Sequence, residues 1–152
     1  MSIVAYTEGV MASDSLTVDG GGLCRSYLGK IKKGKDFIIG FVGSLTEVET
    51  FWRAHNGMTF EALVETVYVD DRWKDLGIMV ADAEGRCFYF DDRVFTEVEE
   101  PFVAMGSGRD YALGAMKLGA TPMTAVHTAI HFDAYCGGEV QRAYVGEINE
   151  SN

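Results

Sequence analysis

The second residue of the chain is Ser2, and a serine next to a free amine is a simple way to build a nucleophile. A hydroxyl alone is poorly reactive, whereas an α-amine with a pKa of about 7.7 to 8 can take its proton near neutral pH. A peptide nitrogen cannot. Ser2 would therefore act only once Met1 is lost, which a small second residue ordinarily permits, and a retained Met1 would disable this chemistry. Asp14 and a lysine further along would complete the site. The plainer alternative is an initiator followed by a frayed surface serine.

Other reactive side chains form weaker patterns. His127 and His131 stand four apart in a helical stretch, but without the HExxH spacing of a metalloprotease, and His55 belongs to a different element. They read as polar or interfacial helix histidines. Cys24, Cys87 and Cys136 are widely spaced, which suggests buried or half-buried free thiols and neither a disulfide framework nor a zinc site. Cys136 has no evident histidine and acid partners. Lys30, Lys32, Lys33 and Lys35 form a tight run that reads as a solvated turn between strands. No metal or cofactor is expected.

The elements that must hold such groups belong to a packed globular chain. Its 152 residues, 47% of them hydrophobic, suit a single domain over 1–152 with a loose tail from about 149. A formal charge of -10 disfavours nucleic-acid binding. The apolar runs are short and broken, and the N-terminus lacks the basic start of a signal peptide. No membrane association is expected, and the location is expected to be cytoplasmic.

Ile3–Tyr6 and Val10–Ala12 read as a hairpin turning at Glu8-Gly9. Leu16–Gly22 reads as a turn or irregular strand, and Leu23–Tyr27 and Lys30–Lys32 as short edge strands. Asp36–Val42 reads as a strand covered on both faces. Ser44 with Glu47 makes a capping box for a helix running to about His55, and a second helix begins near Thr59 with Phe60, Leu63 and Val64 inward. Leu76–Asp82 and Arg86–Phe90 form the clearest hairpin, followed by strands Val94–Val98 and Pro101–Met105. A helix after Gly106-Ser107-Gly108 ends at Gly119. Another, capped by Thr121-Pro122, runs to Gly137-Gly138, and a last strand spans Val140–Ile148 before a loose EINESN tail.

Five segments in order resemble the proteasome β-subunit family and its HslV relatives, which are N-terminal nucleophile hydrolases. They are IVA…ASD (Ile3–Ala5, Ala12–Asp14), Lys30-Ile31, GFVGS (Gly40–Ser44), AMGSG (Ala104–Gly108) followed by DYAL, and DAYCGG (Asp133–Gly138). The last is similar to the family's DAYSGG, with Cys136 taking the small-residue role of its serine. The resemblance implies an α+β fold, a four-layer αββα sandwich of two mainly antiparallel sheets between helix layers. It also implies rings of six or seven subunits, peptide or unfolded-protein substrates, and possible service by an ATP-dependent unfoldase. Ring surfaces could come from the helices beginning at Ser44 and Thr121.

Carried onto this chain, the resemblance makes Ser2 the nucleophile and Lys30 the positive charge beside it, with Asp14 orienting that lysine. Ser107 and Asp133 would hydrogen-bond around the terminal amine, and the Gly43 N–H would serve the oxyanion. Two registers compete. Without a gap, the family's nucleophile falls on Met1 and the Ser2 side chain points away from Lys30. A slip of one residue brings Ser2 to Lys30 and puts Val4 and Tyr6 on that face, where the bulk of Tyr6 against Ala5 speaks against it. Three functions follow: a self-compartmentalising peptidase, a catalytically inactive ring or scaffold subunit retaining Met1, and an amidase on a non-protein amide, which no residue favours positively.

Overall fold

The computed structural model describes residues 2–19, 24–27 and 29–150, and the side chains within them except those of 18, 19, 24–27, 149 and 150. Met1, the glycines of Leu16–Gly22, Leu23, the side chain of Cys24, and the last two residues lie outside what is described. In chain order the elements are β1 (Val4–Thr7), β2 (Val10–Ser13), β3 (Leu16–Asp19), β4 (Cys24–Tyr27), β5 (Ile31–Lys33) and β6 (Phe37–Val42). They continue with α1 (Leu45–His55), α2 (Phe60–Tyr68), β7 (Gly77–Asp82), β8 (Cys87–Asp91), β9 (Val94–Glu97) and β10 (Phe102–Met105). The chain closes with α3 (Arg109–Lys117), α4 (Pro122–Phe132), β11 (Gln141–Tyr144) and α5 (Gly146–Glu150).

One sheet has the order β10-β1-β2-β11 and the other β5-β6-β7-β8-β9, while β3 and β4 pair by themselves. Every pairing is antiparallel. The side chains of β1 divide between two cores, as strand alternation requires. Ile3 and Ala5 pack with Ala112, Met116, Val126 and Ala129 of α3 and α4. Val4 and Tyr6 pack with Ile38, Met79 and Ala81 of the second sheet. On that sheet's far face, Phe37, Ile39 and Phe41 meet Val48, Phe51, Leu63 and Val67 of α1 and α2. The layers are therefore helices, sheet, sheet, helices, the expected αββα sandwich.

Local chemistry explains most boundaries. Glu8 and Gly9 have φ of 50° and 82°, the left-handed pair that a two-residue hairpin turn needs to match strand twist. Ser44, Thr59 and Thr121 each accept a backbone N–H from three residues on, capping α1, α2 and α4, and Pro122 opens α4.

Three expectations are corrected. The Thr121 helix stops at Phe132, because Asp133 is extended and its carboxylate takes the Tyr135 N–H at 2.9 Å, starting a turn. The last strand ends at Tyr144, not Ile148. Val145 N–H donates to Gly9 O, Glu147 accepts from Tyr144 N–H at 3.0 Å, and the chain turns into α5 with Ile148 only 5% exposed, so the start of the EINESN segment is held in place. Only the second half of the lysine run is a solvated turn: Lys33 and Lys35 are exposed where β5 turns into β6, whereas Lys30 is buried and Lys32, half-buried, pairs with Glu49 at 3.1 Å. Among the described residues, no helix is long and apolar enough to cross a membrane.

The two sheets come into close contact where β6 passes β1 and β2. A Cβ on Gly40 would lie 2.7 Å from Val4 Cγ1 and 3.0 Å from Met11 Sδ. Gly40→Ala is therefore expected to push the sheets apart and destabilise the fold by about 1–3 kcal/mol, measured as a lower denaturation midpoint with unchanged m-value.

Candidate active site

Asp14 follows the end of β2 and is fully buried. Its Oδ1 accepts the Ile3 N–H at 3.2 Å and the Lys30 ammonium at 2.6 Å, and its Oδ2 accepts the Gly137 N–H at 3.0 Å. One carboxylate thus ties the N-terminal segment, the approach to β5 and the loop after α4 together. Lys30 is 5% exposed. Burial pulls its pKa below the ordinary lysine value, and the Asp14 charge and hydrogen bond oppose that shift.

Lys30 Nζ also donates to Ser2 Oγ at 2.7 Å. Ser2 therefore faces Lys30, the arrangement of the register slipped by one residue and not of the ungapped one. Ser2 has the parity of Val4 and Tyr6, which look into the space between the sheets, on the side of the second sheet that carries Lys30. The bulk of Tyr6 is no obstacle. Its ring fills the inter-sheet core and its hydroxyl donates to Gly85 O at 2.8 Å, burial raising its pKa to about 12.

The nitrogen of Ser2 donates to Ser107 Oγ at 3.1 Å. Gly108 N–H donates to Ser2 O at 3.2 Å, and Gly106, with φ 106°, leaves no room for a side chain because its Cβ would lie 2.1 Å from Ser2 O. The glycines flanking Ser107 thus let the start of α3 close on Ser2. Asp133 sits one residue further out. Burial acts to raise its pKa, but hydrogen bonds from Ser107, Tyr135 N–H and Cys136 outweigh it and hold the carboxyl below its usual range. Asp133 therefore orients Ser107, and Ser107 meets Ser2.

Gly43 lies on the exposed turn before α1 and lines a narrow recess with Lys30, Thr17, Gly29, Phe41, Leu45 and Val48. The six candidate residues thus converge from both sheets and both helix layers. His127 and His131 are exposed on α4, and no group of three or more metal-ligating side chains occurs among the described residues.

Cys136 carries more than the small-residue role expected of it. Its thiol donates to Asp133 Oδ2 at 3.4 Å and lies 3.9 Å from Ser107 Oγ. Burial, with the charges of Asp14 and Asp133, raises its pKa to about 12, so it is a thiol and not a thiolate at neutral pH. Gly137 is a second residue that spacing did not single out, since only the folded chain brings its N–H to Asp14.

The thiols set an alkaline limit on stability. Cys136 and Cys87 are 5% and 6% exposed, and both have folded pKa values of about 12 against 9.0 for an ordinary thiol. Folding favours the protonated form, so this stabilisation is complete below pH 9 and is lost as pH rises from 9 towards 12. Denaturant midpoints should fall across that range by up to about 1.4 kcal/mol per pH unit for each thiol. Cys136→Ser and Cys87→Ala should each flatten the decline.

No family model matches the sequence, and no curated protein matches it. Solved structures do. The chain superposes on Thiobacillus denitrificans BPH in complex with epoxomicin with a TM-score of 0.70 at 20% identity, covering 93% of this chain and 96% of that one. A second structure of Thiobacillus denitrificans BPH gives 0.67 at 20% identity, covering 93% and 95%. HslV from Trypanosoma brucei gives 0.65 at 18% identity, covering 93% and 97%. This chain therefore has the proteasome/HslV-like N-terminal nucleophile hydrolase fold.

Proposed function

We propose that the chain is a proteasome-like, self-compartmentalising peptidase whose nucleophile is Ser2 after removal of Met1. The observation that carries this is the Lys30 ammonium 2.7 Å from Ser2 Oγ and 2.6 Å from Asp14, with Ser107 Oγ 3.1 Å from the Ser2 nitrogen. Once that nitrogen is an amine, it takes the Oγ proton as Oγ bonds to the substrate carbonyl carbon. The carbonyl π electrons move to oxygen, which receives the Gly43 N–H. The ammonium then protonates the leaving nitrogen as the C–N bond breaks, leaving an ester on Ser2. Water, deprotonated by the same amine, cleaves the ester and restores the site. Lys30 stabilises the negative charge and keeps the amine pKa low, so that it is a free base at neutral pH.

The same placement suggests a substrate class. With the carbonyl between Ser2 Oγ and Gly43, the preceding side chain would enter the recess shared by Lys30, Leu45 and Val48, where the space open to the centre of a water-sized group is only ≈ 10 Å³. That suits a side chain of one or two heavy atoms. Exposed Tyr111 (43%), Leu118 (90%) and Phe132 (62%) on the α3–α4 layer, the first and last stacked at 5.4 Å, supply apolar surface for assembly. A closed ring of six or seven subunits, fed by an ATP-dependent unfoldase, is part of this proposal.

A catalytically inactive ring subunit is the second reading. It is favoured by the burial of Ser2, which is 1% exposed. Intact mass and turnover of fluorogenic peptides decide between them. The peptidase should lack the mass of Met1 and lose activity by about 10³-fold or more in Ser2→Ala. Protein that wholly retains Met1 and hydrolyses no peptide would instead be the inactive subunit. Within the peptidase reading, peptides with Ala or Ser before the scissile bond should be cleaved about tenfold or more faster than those with Phe or Lys.

A further inference from the structure

Lys30 is gripped at both ends by groups from the first sheet, and only one of them is explained above. Its ammonium is held by Asp14, which follows β2. Its backbone N–H donates to Gln141 Oε1 at 3.0 Å, and Gln141 lies on β11, opposite Ser13 in the β2–β11 register. Asp14 and Gln141 are thus fixed by the same few residues of β2.

Taking Ser2 as the nucleophile, we propose that Gln141 is a positioning residue that sets the backbone of Lys30 so that Nζ reaches Ser2 Oγ. The peptide N–H of Lys30 sits just before β5, the edge strand of the second sheet. The Lys30 carbonyl is used inward, accepting Phe41 N–H at 2.9 Å. The N–H points outward and is met by the Gln141 side chain. An N–H only donates, so the Gln141 atom facing it is the carbonyl oxygen, which fixes the orientation of the amide. The amide rests against Gly29, whose Cβ would lie 3.6 Å from Oε1 and 3.7 Å from Nε2.

Lys30 is therefore pinned from the second sheet through its carbonyl and from the first through its N–H and ammonium. Removing the Gln141 acceptor frees one of these three restraints. The ammonium is carried on a long, flexible side chain, so a small shift of the Lys30 backbone changes the distance that positions the charge. Gln141 also lines an open recess of ≈ 520 Å³ with Ser15, Gly138 and Glu139. Solvent reaches it there, so a substitution does not leave a sealed void.

The test compares native protein with Gln141→Leu, which has no acceptor, and Gln141→Glu, which keeps one. Hydrogen exchange at the Lys30 amide reads the bond directly, with the Phe41 amide as internal control. Steady-state peptide hydrolysis reads its consequence. In Gln141→Leu the Lys30 amide should exchange about tenfold or more faster while Phe41 holds, and kcat should fall about 10- to 100-fold with KM within about twofold. Gln141→Glu should keep Lys30 protection and most of kcat. Unchanged Lys30 exchange in Gln141→Leu, unchanged kcat despite faster exchange, or equal loss of kcat in both variants would overturn the proposal. Labelling of Ser2 in the native protein by a peptidyl epoxyketone tests the peptidase reading separately. If native protein is neither labelled nor active, that reading fails, and the exchange result alone decides whether Gln141 holds Lys30.

Discussion

The buried pair of Lys30 and Asp14 is the constraint around which the site is built. Placing two charges at 5% and 0% exposure costs several kcal/mol per ion, and only good geometry and full hydrogen bonding offset it. The chain provides the geometry and much of the bonding. Asp14 has three donors spread over its two oxygens, and the Lys30 ammonium has Asp14 and Ser2 Oγ. The donors come from the residue before β1, the approach to β5 and the loop after α4, so the full set of bonds exists only with both sheets and the α3–α4 layer in place. A charge held this way costs stability and gains a fixed position beside a hydroxyl, a trade that makes more sense for chemistry than for folding.

The N-terminal strand serves both cores. Ile3 and Ala5 anchor the helices and Val4 and Tyr6 anchor the second sheet, so residue 2 cannot slide or twist without disturbing one of them. The side chain of Ser2 inherits the inter-sheet direction, and its nitrogen and carbonyl are held by Ser107 and Gly108 at the start of α3. The hydroxyl and the nitrogen of one residue are thus positioned by different layers. Hydroxyl and lysine belong to the sheet-to-sheet space, and nitrogen and Ser107 to the sheet-to-helix boundary.

Cys136 shows how little is needed to support that boundary. A thiol is a weak donor, yet its contact with Asp133 adds to those of Ser107 and the Tyr135 N–H in holding that carboxyl below its usual range. Burial and two nearby carboxylates keep the sulfur protonated. The thiol is thereby limited to a structural role, while Ser2 is the hydroxyl with a cation in reach.

Local pattern in the sequence was enough for the elements whose causes are local. The Ser44 cap and the apolar face of Leu45–His55, the covered strand through Phe41, the hairpin turning at Glu8-Gly9 and the one ending at Phe90 all depend on residues within a few positions of one another. The candidate residues Ser2, Asp14, Lys30, Gly43, Ser107 and Asp133 could be named through motif order, and the structure brings them together. Tertiary structure decided what depends on distant partners. The strand pattern shows that Ser2 shares a face with Val4 and Tyr6, but not that this face looks toward Lys30, because that is set by how the second sheet stacks. The helix in place of a longer last strand follows from the bond of Val145 N–H to the distant Gly9 O. Gln141 carries no signal in sequence at all, since its only distinction is a bond to a backbone N–H 111 residues away.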